Sequence, residues 1–228
     1  MVKKRILSGI AGAAICTFLV NGSALAVPTT YDGITFPGGD ISFADQLVDL
    51  TFGDPAPTAA NFIDGNQALG APDYTGGGGG TGSVSLGRGG TITVRFTDNA
   101  LTGSGDNTPD LHIFEVGPDI EDTFVSISED GNDFIDVGKV EGATSSIDID
   151  FFLDSLSIDV MTQFFFVRLM DDPNEGGSTG NTVGADIDAI GAISTVFVSD
   201  PVPLPAAAWM FMAGLGGIVA TRRARKAS

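Results

Sequence analysis

Acidic residues are the most abundant reactive side chains in this sequence, and all 29 fall between Asp32 and Asp200. Carboxylates at close spacing bind hard cations. Calcium takes about six to eight oxygens from carboxylates, amides, carbonyls and water. In Asp64-Gly65-Asn66, a glycine between two oxygen donors lets the chain turn back around an ion. Asp186 and Asp188 alternate with Ile187 and Ala189, so on a strand both carboxylates leave the same face. Asp64, Asn66, Asp186 and Asp188 are therefore the candidate metal ligands, with calcium as the candidate ion. Asp148 and Asp150 repeat the alternation, and Asp171-Asp172-Pro173-Asn174-Glu175 is a second acidic loop. The same pattern also describes a solvated acidic face, and no segment has EF-hand spacing.

Catalytic chemistry finds less support. His112 is the only histidine, and no G-x-S-x-G supplies a nucleophile elbow, so a Ser-His-Asp triad lacks its second element. One histidine and a single cysteine, Cys16, do not make a zinc centre. Two carboxylates can hydrolyse a glycosidic bond, but among 29 acids some pair always falls at a suitable distance. A glycoside hydrolase is thus a distant alternative, and no catalytic residues are assigned. For binding, Tyr74 beside the run Gly76–Gly80 is the one attractive platform for stacking a sugar; Tyr31 is the only other tyrosine, and Trp209 lies in the C-terminal tail. The glycine run has no following lysine and no strand-to-helix context, so it reads as a flexible loop and not a phosphate cradle.

These residues need elements to hold them. Thr91 to Phe96 alternates with period two, placing Ile92, Val94 and Phe96 on one face. Leu111–Val116, Thr123–Ser128, Phe134–Val140 and Ser146–Phe151 read as strands. So do Gln163–Met170 and a last one running from Asp186 to about Val198. Asp130-Gly131 supplies the positive φ of a tight hairpin turn. Short strands, Gly/Asp/Asn/Pro turns and little helical periodicity predict an all-β antiparallel sandwich over 27–200. That segment has four basic residues against 29 acidic, a net of −25. Nucleic acid and anionic membrane surfaces are excluded as partners by like charge.

The two ends differ in kind. Lys3, Lys4 and Arg5 precede an apolar stretch, and Ala24-Leu25-Ala26 has the small-x-small form of a cleavage site. Residues 1–26 are therefore read as a signal peptide handled by signal peptidase and the export machinery, an uncleaved anchor being the alternative. No cysteine or disulfide would remain after cleavage. At the other end, Ala206 to Ala220 carries no charge and spans only about 22 Å as a helix, short of the roughly 30 Å hydrocarbon core. Arg222, Arg223, Arg225 and Lys226 follow as a cytoplasmic stop. Residues 201–228 are thus read as one C-terminal segment of proline motif, apolar helix and basic cluster, whose short helix is a marginal membrane span; a permanent anchor is the alternative reading.

Val202-Pro203-Leu204-Pro205, the apolar run and the terminal basic cluster resemble the PEP-CTERM sorting signal in its VPLPA variant. The resemblance implies recognition by an exosortase of Gram-negative bacteria and removal of the tail near that motif. It also implies a protein destined for the cell surface or extracellular matrix, held transiently in the inner membrane. The stretch Val125 to Gly138, with Asp130-Gly131 and Phe134, is similar to a hairpin of galactose-binding-like, discoidin-type jelly rolls. Asn61 to Asp73 resembles their first loop. That likeness implies a jelly-roll-like β-sandwich, ligand binding on loops at one end, and a structural calcium joining the first loop to the last strand. The expected function is a non-enzymatic surface protein binding carbohydrate or exopolysaccharide; the alternative is a purely structural acidic envelope protein.

Overall fold

The computed structural model describes residues 26–76, 80–117, 121–141, 145–176 and 179–198. Ala24, Val202–Pro205, the tail helix and the basic cluster lie outside the described residues. Among the described residues, no helix is long and apolar enough to cross a membrane. The strands are numbered in chain order.

Five strands form one antiparallel sheet in the order β3 (Gln46–Thr51), β5 (Thr91–Arg95), β11 (Phe166–Asp171), β8 (Thr123–Ser128), β9 (Ile135–Val140). Four form a second, in the order β10 (Ser145–Ile147), β7 (Leu111–Glu115), β12 (Asp186–Ala192), β4 (Val84–Ser85). A hairpin of β1 (Thr29–Tyr31) and β2 (Ile34–Phe36) and a pair of β6 (Asn99–Leu101) with β13 (Thr195–Phe197) complete the strands. One helix, α1 (Asp150–Ser155), follows β10.

The alternation read in the sequence becomes the core. Ile92, Val94, Val125, Ile127, Val167 and Leu169 of the five-stranded sheet pack with Leu111, Ile113, Ile187 and Ile190 of the other, all essentially unexposed. Each such side chain contributes about 1.5–3 kcal/mol by leaving water. The chain is thus an antiparallel β-sandwich. The four-stranded sheet is covered on its outer face as well. There Phe36 and Phe43, 4.6 Å apart between ring centroids, pack on Phe114 and Ala189, with Tyr31 and Ile34 at the margin. Gly191 makes the room: a Cβ there would lie 2.5 Å from the Phe36 ring. Strand β7 is therefore buried on both faces, and His112 belongs to the aromatic cluster, 4.6 Å from the Phe114 ring. Burial lowers its pKa to about 4, so the imidazole is neutral and structural.

Three sequence expectations are corrected. Ser146 to Phe151 is not one strand: pairing with β7 ends at Ile147, the Asp148 carboxylate accepts the Asp150 N–H at 2.9 Å, and Asp150 opens the helix. Asp148 and Asp150 therefore do not alternate along a pleat. The strand expected over Gln163–Met170 starts only at Phe166, Phe164 making an isolated bridge to Leu101. In β12 a register shift between Ile187 and Ala189 places the bulge at Asp188, so the period-two reading of Asp186 and Asp188 is interrupted there.

Candidate functional site

At the turn of the N-terminal hairpin, Asp32 and Gly33 take positive φ (46° and 87°), folding β2 back on β1 and leaving Tyr31 at the rim. The Tyr31 ring stands edge-on to Phe43 at 5.4 Å, and its hydroxyl donates to Asp40, which raises its pKa. Opposite it, Pro72, Asp73 and Tyr74 lead into the glycine run, whose base is closed by the Thr75 N–H donating to the Thr81 carbonyl at 3.1 Å. Between them lies an open cleft of about 310 Å³ walled by Tyr31, Asp32, Pro72, Asp73, Tyr74 and Asp188. Both tyrosines are half-buried, so part of each stays accessible.

Asp188 forms the floor of this cleft. It is 5% exposed and accepts the Asp73 N–H at 3.0 Å. Burial pushes its pKa up to about 6, against the backbone N–H groups of Asp73 and Tyr74, with the charges of Asp73 and Asp32 adding to the rise. Two phenol rings beside a desolvated carboxylate provide stacking surface and a strong acceptor for hydroxyl donors.

The structure brings together two of the residues singled out from sequence, Tyr74 and Asp188. It places Asp64 and Asn66 elsewhere and against each other. The Asp64 carboxylate caps the short 3-10 turn Gly65–Ala68, accepting from the Asn66 N–H at 3.0 Å and from its side-chain amide at 2.8 Å. Asp186 receives the Ser85 hydroxyl. None of Asp64, Asp186 and Asp188 joins a cluster of three or more acids with closely spaced oxygens among the described residues. Two such clusters occur at other positions, Asp110/Asp148/Asp150 and Asp122/Asp172/Glu175. The second surrounds Lys139, whose ammonium contacts Asp122, Asp172 (2.7 Å) and Glu175 (3.3 Å); these contacts raise its pKa and lower that of Asp172. Glu115, at the end of β7, is 5% exposed. Its pKa is pushed to about 9 by burial first and then by the charges of Glu121, Asp186 and Asp171.

Sequence reasoning passed over Tyr31, Asp32, Asp110 and Asp122. Tyr31 and Tyr74 are 43 positions apart, and nothing local joins them. Asp110 carried a faint signal, being an acid set directly before a strand that alternates apolar residues.

No family model and no curated protein matches this sequence. Among solved structures, a Clostridium perfringens protein described as CpGH89CBM32-6 aligns with 68% of this chain and 98% of its own, at 14% identity and a TM-score of 0.36. The C-terminal domain of a chitobiase from Bacteroides fragilis aligns over 71% and 98%, at 13% identity and a TM-score of 0.36. A CBM32 of AlyQ in complex with 4,5-unsaturated mannuronic acid aligns over 69% and 98%, at 15% identity and a TM-score of 0.31. Likeness at this level carries no argument about what this chain binds, and the antiparallel sandwich stands on its own strand pairings.

Proposed function

We propose that this chain is an exported, non-enzymatic surface protein that binds carbohydrate in the Tyr31–Tyr74 cleft. Residues 1–26 direct export, residues 27–200 form the binding domain, and residues 201–228 are a sorting tail processed by an exosortase-type enzyme. The observation that carries the binding role is the cleft: the two tyrosines of the described residues, far apart in sequence, face one space with the buried Asp188 carboxylate at its floor. Rings offer a face to the C–H surface of a sugar, and a carboxylate accepts hydroxyl protons. Asp32 and Asp73 add negative charge at the rim, so a neutral hexose is favoured and a uronate is repelled.

A glycan array probed with the full-length chain at pH 7.5 tests this. Saturable binding to neutral glycans, reduced at least tenfold by Tyr74→Ala and by Asp188→Asn, is expected. An array blank for all neutral glycans, or binding untouched by both substitutions, overturns the assignment and leaves an acidic structural coat as the function.

A further inference from the structure

We infer that Asp110, Asp148 and Asp150 form a calcium site that ties the turn between β10 and α1 to the entry of β7. One carboxylate oxygen from each residue lies within 4.8 Å of the others. Oxygens sharing one calcium ion, at roughly 2.3–2.6 Å each, are at most about 5 Å apart, so the spacing fits a common ion. The chain builds this place from both sides. Asp110 donates its N–H to the Ile147 carbonyl at 2.9 Å, just where β10 stops pairing, and Asp148 and Asp150 follow within three residues.

Asp110 supplies the independent sign that something binds there. Its side chain has no exposure; Oδ2 accepts the Ile149 N–H at 3.0 Å, while Oδ1 accepts no hydrogen bond. The hydroxyls of Ser194 and Ser104 are close enough to favour the ionised form, yet neither reaches hydrogen-bonding geometry at Oδ1. Asp150 shows the same division. Its Oδ2 accepts the Gly105 N–H at 2.7 Å and the Ser104 hydroxyl at 3.2 Å, and its buried Oδ1 has no partner. Buried carboxylate oxygens left without donors are costly, and two in one cluster call for a cation.

The donor set selects the ion. Beyond the carboxylates, the neighbouring groups are the Ser104 hydroxyl and the carbonyls of Asp106 and Thr108, drawn to that hydroxyl at 3.3 and 3.4 Å. An all-oxygen, irregular surround suits calcium better than zinc or strictly octahedral magnesium. The basic side chains of the described residues are engaged elsewhere. Arg88 donates to the Pro173 carbonyl, Arg95 and Arg168 sit over the Phe166 and Phe134 rings, and Lys139 holds the other cluster. Position 103 must be glycine, since a Cβ there would lie 1.8 Å from Asp150 Oδ1. An open cavity of about 500 Å³, walled in part by Asp106, Asn107 and Asp150, lies beside the cluster.

Calorimetric titration of calcium chloride into the chelator-stripped full-length chain, at ionic strength held constant with sodium chloride, tests the site. One saturable calcium per chain and a raised melting temperature are expected. Asp148→Asn and Asp110→Asn should weaken binding at least tenfold, while Asp64→Asn leaves it within twofold. Asp110→Asn can fail to fold, because the residue is fully buried; the half-buried Asp148→Asn then decides. Identical melting curves in chelator and calcium with no saturable heat overturn the site and leave a proton on Asp110 as the compensating charge. Folded Asp148→Asn that binds like the parent overturns it too, as does loss confined to Asp64→Asn.

Discussion

The Asp122/Asp172/Glu175 cluster and the Asp110/Asp148/Asp150 cluster have the same composition in kind, one acid at the entry of a strand and two from a single later turn, yet they differ in what lies between them. In the first, Lys139 reaches in from β9 and touches all three carboxylates. In the second, no basic side chain of the described residues is present, and two buried oxygens have no donor. The first cluster is balanced by the chain itself. The second leaves that balance to the solution, so its stability depends on what the solution contains. Carboxylates gathered by folding need a positive partner, and whether it is covalently attached decides whether folding responds to the environment.

Four measurements break or sharpen this contrast. The largest effect is expected from Lys139→Met, which removes the internal cation and leaves Asp122 and Asp172, both almost unexposed, facing each other. Its melting temperature should fall more than that of any other variant here, and added calcium should restore part of the loss. A variant as stable as the parent would mean that Lys139 is a spectator. Next comes the parent chain itself: saturation of a native-state site at a hundredfold excess over Kd stabilises by about 2.7 kcal/mol, read as a melting shift between chelator and calcium.

A pH titration in chelator follows. Glu115 has a folded pKa near 9, raised from 4.5, so the folded state binds its proton more tightly than the unfolded one. Stability from this group is therefore full at low pH and is lost as pH rises toward 9. Asp188, raised to about 6, acts with the same sign at lower pH, and His112, lowered to about 4, acts with the opposite sign up to about 6.5. The two oppose each other below that point. Glu115 then governs the interval from about 6.5 to 9, where stability should fall by at most about 1.4 kcal/mol per pH unit. Chemical denaturation at pH 7 and pH 8.5 checks it; equal stability at both would show that Glu115 ionises freely. The smallest effect belongs to Asp64→Ala, which removes a cap of a single 3-10 turn and should cost about 1 kcal/mol without altering the calcium response.

The same contrast marks how far the sequence could be read. Ile92 and Val94 are legible because alternation is local, and they form the core face predicted for them; Val125 and Ile127, in a segment read only as a strand, join it. Tyr74 is legible as a tyrosine beside a loop, but not that it shares a cleft with Tyr31 and Asp188. The helix at Asp150 is not, because it is started by the Asp148 carboxylate and by Asp110 holding the Ile149 N–H from 39 positions away. Nor is the bulge at Asp188, which depends on β7 lying beside it. Lys139 and its three partners span 54 positions, from Asp122 to Glu175, and no periodicity connects them. Local pattern reports the faces of strands; which charges meet is decided by the wiring between them.

That wiring has a consequence for the order in which the fold can close. Phe36 and Phe43, among the earliest residues of the described chain, rest on Phe114, Ala189 and Gly191, and Phe43 bridges directly to Gly191 across 148 positions. The early segment has no apolar seat until β12 is in place, and contacts of such long sequence separation form slowly. The hairpin must therefore wait, its aromatic rings exposed, until nearly the whole domain has emerged. A chain wired in this way closes late: the first-made part of its described sandwich is among the last to lock, and premature closure is disfavoured by topology alone.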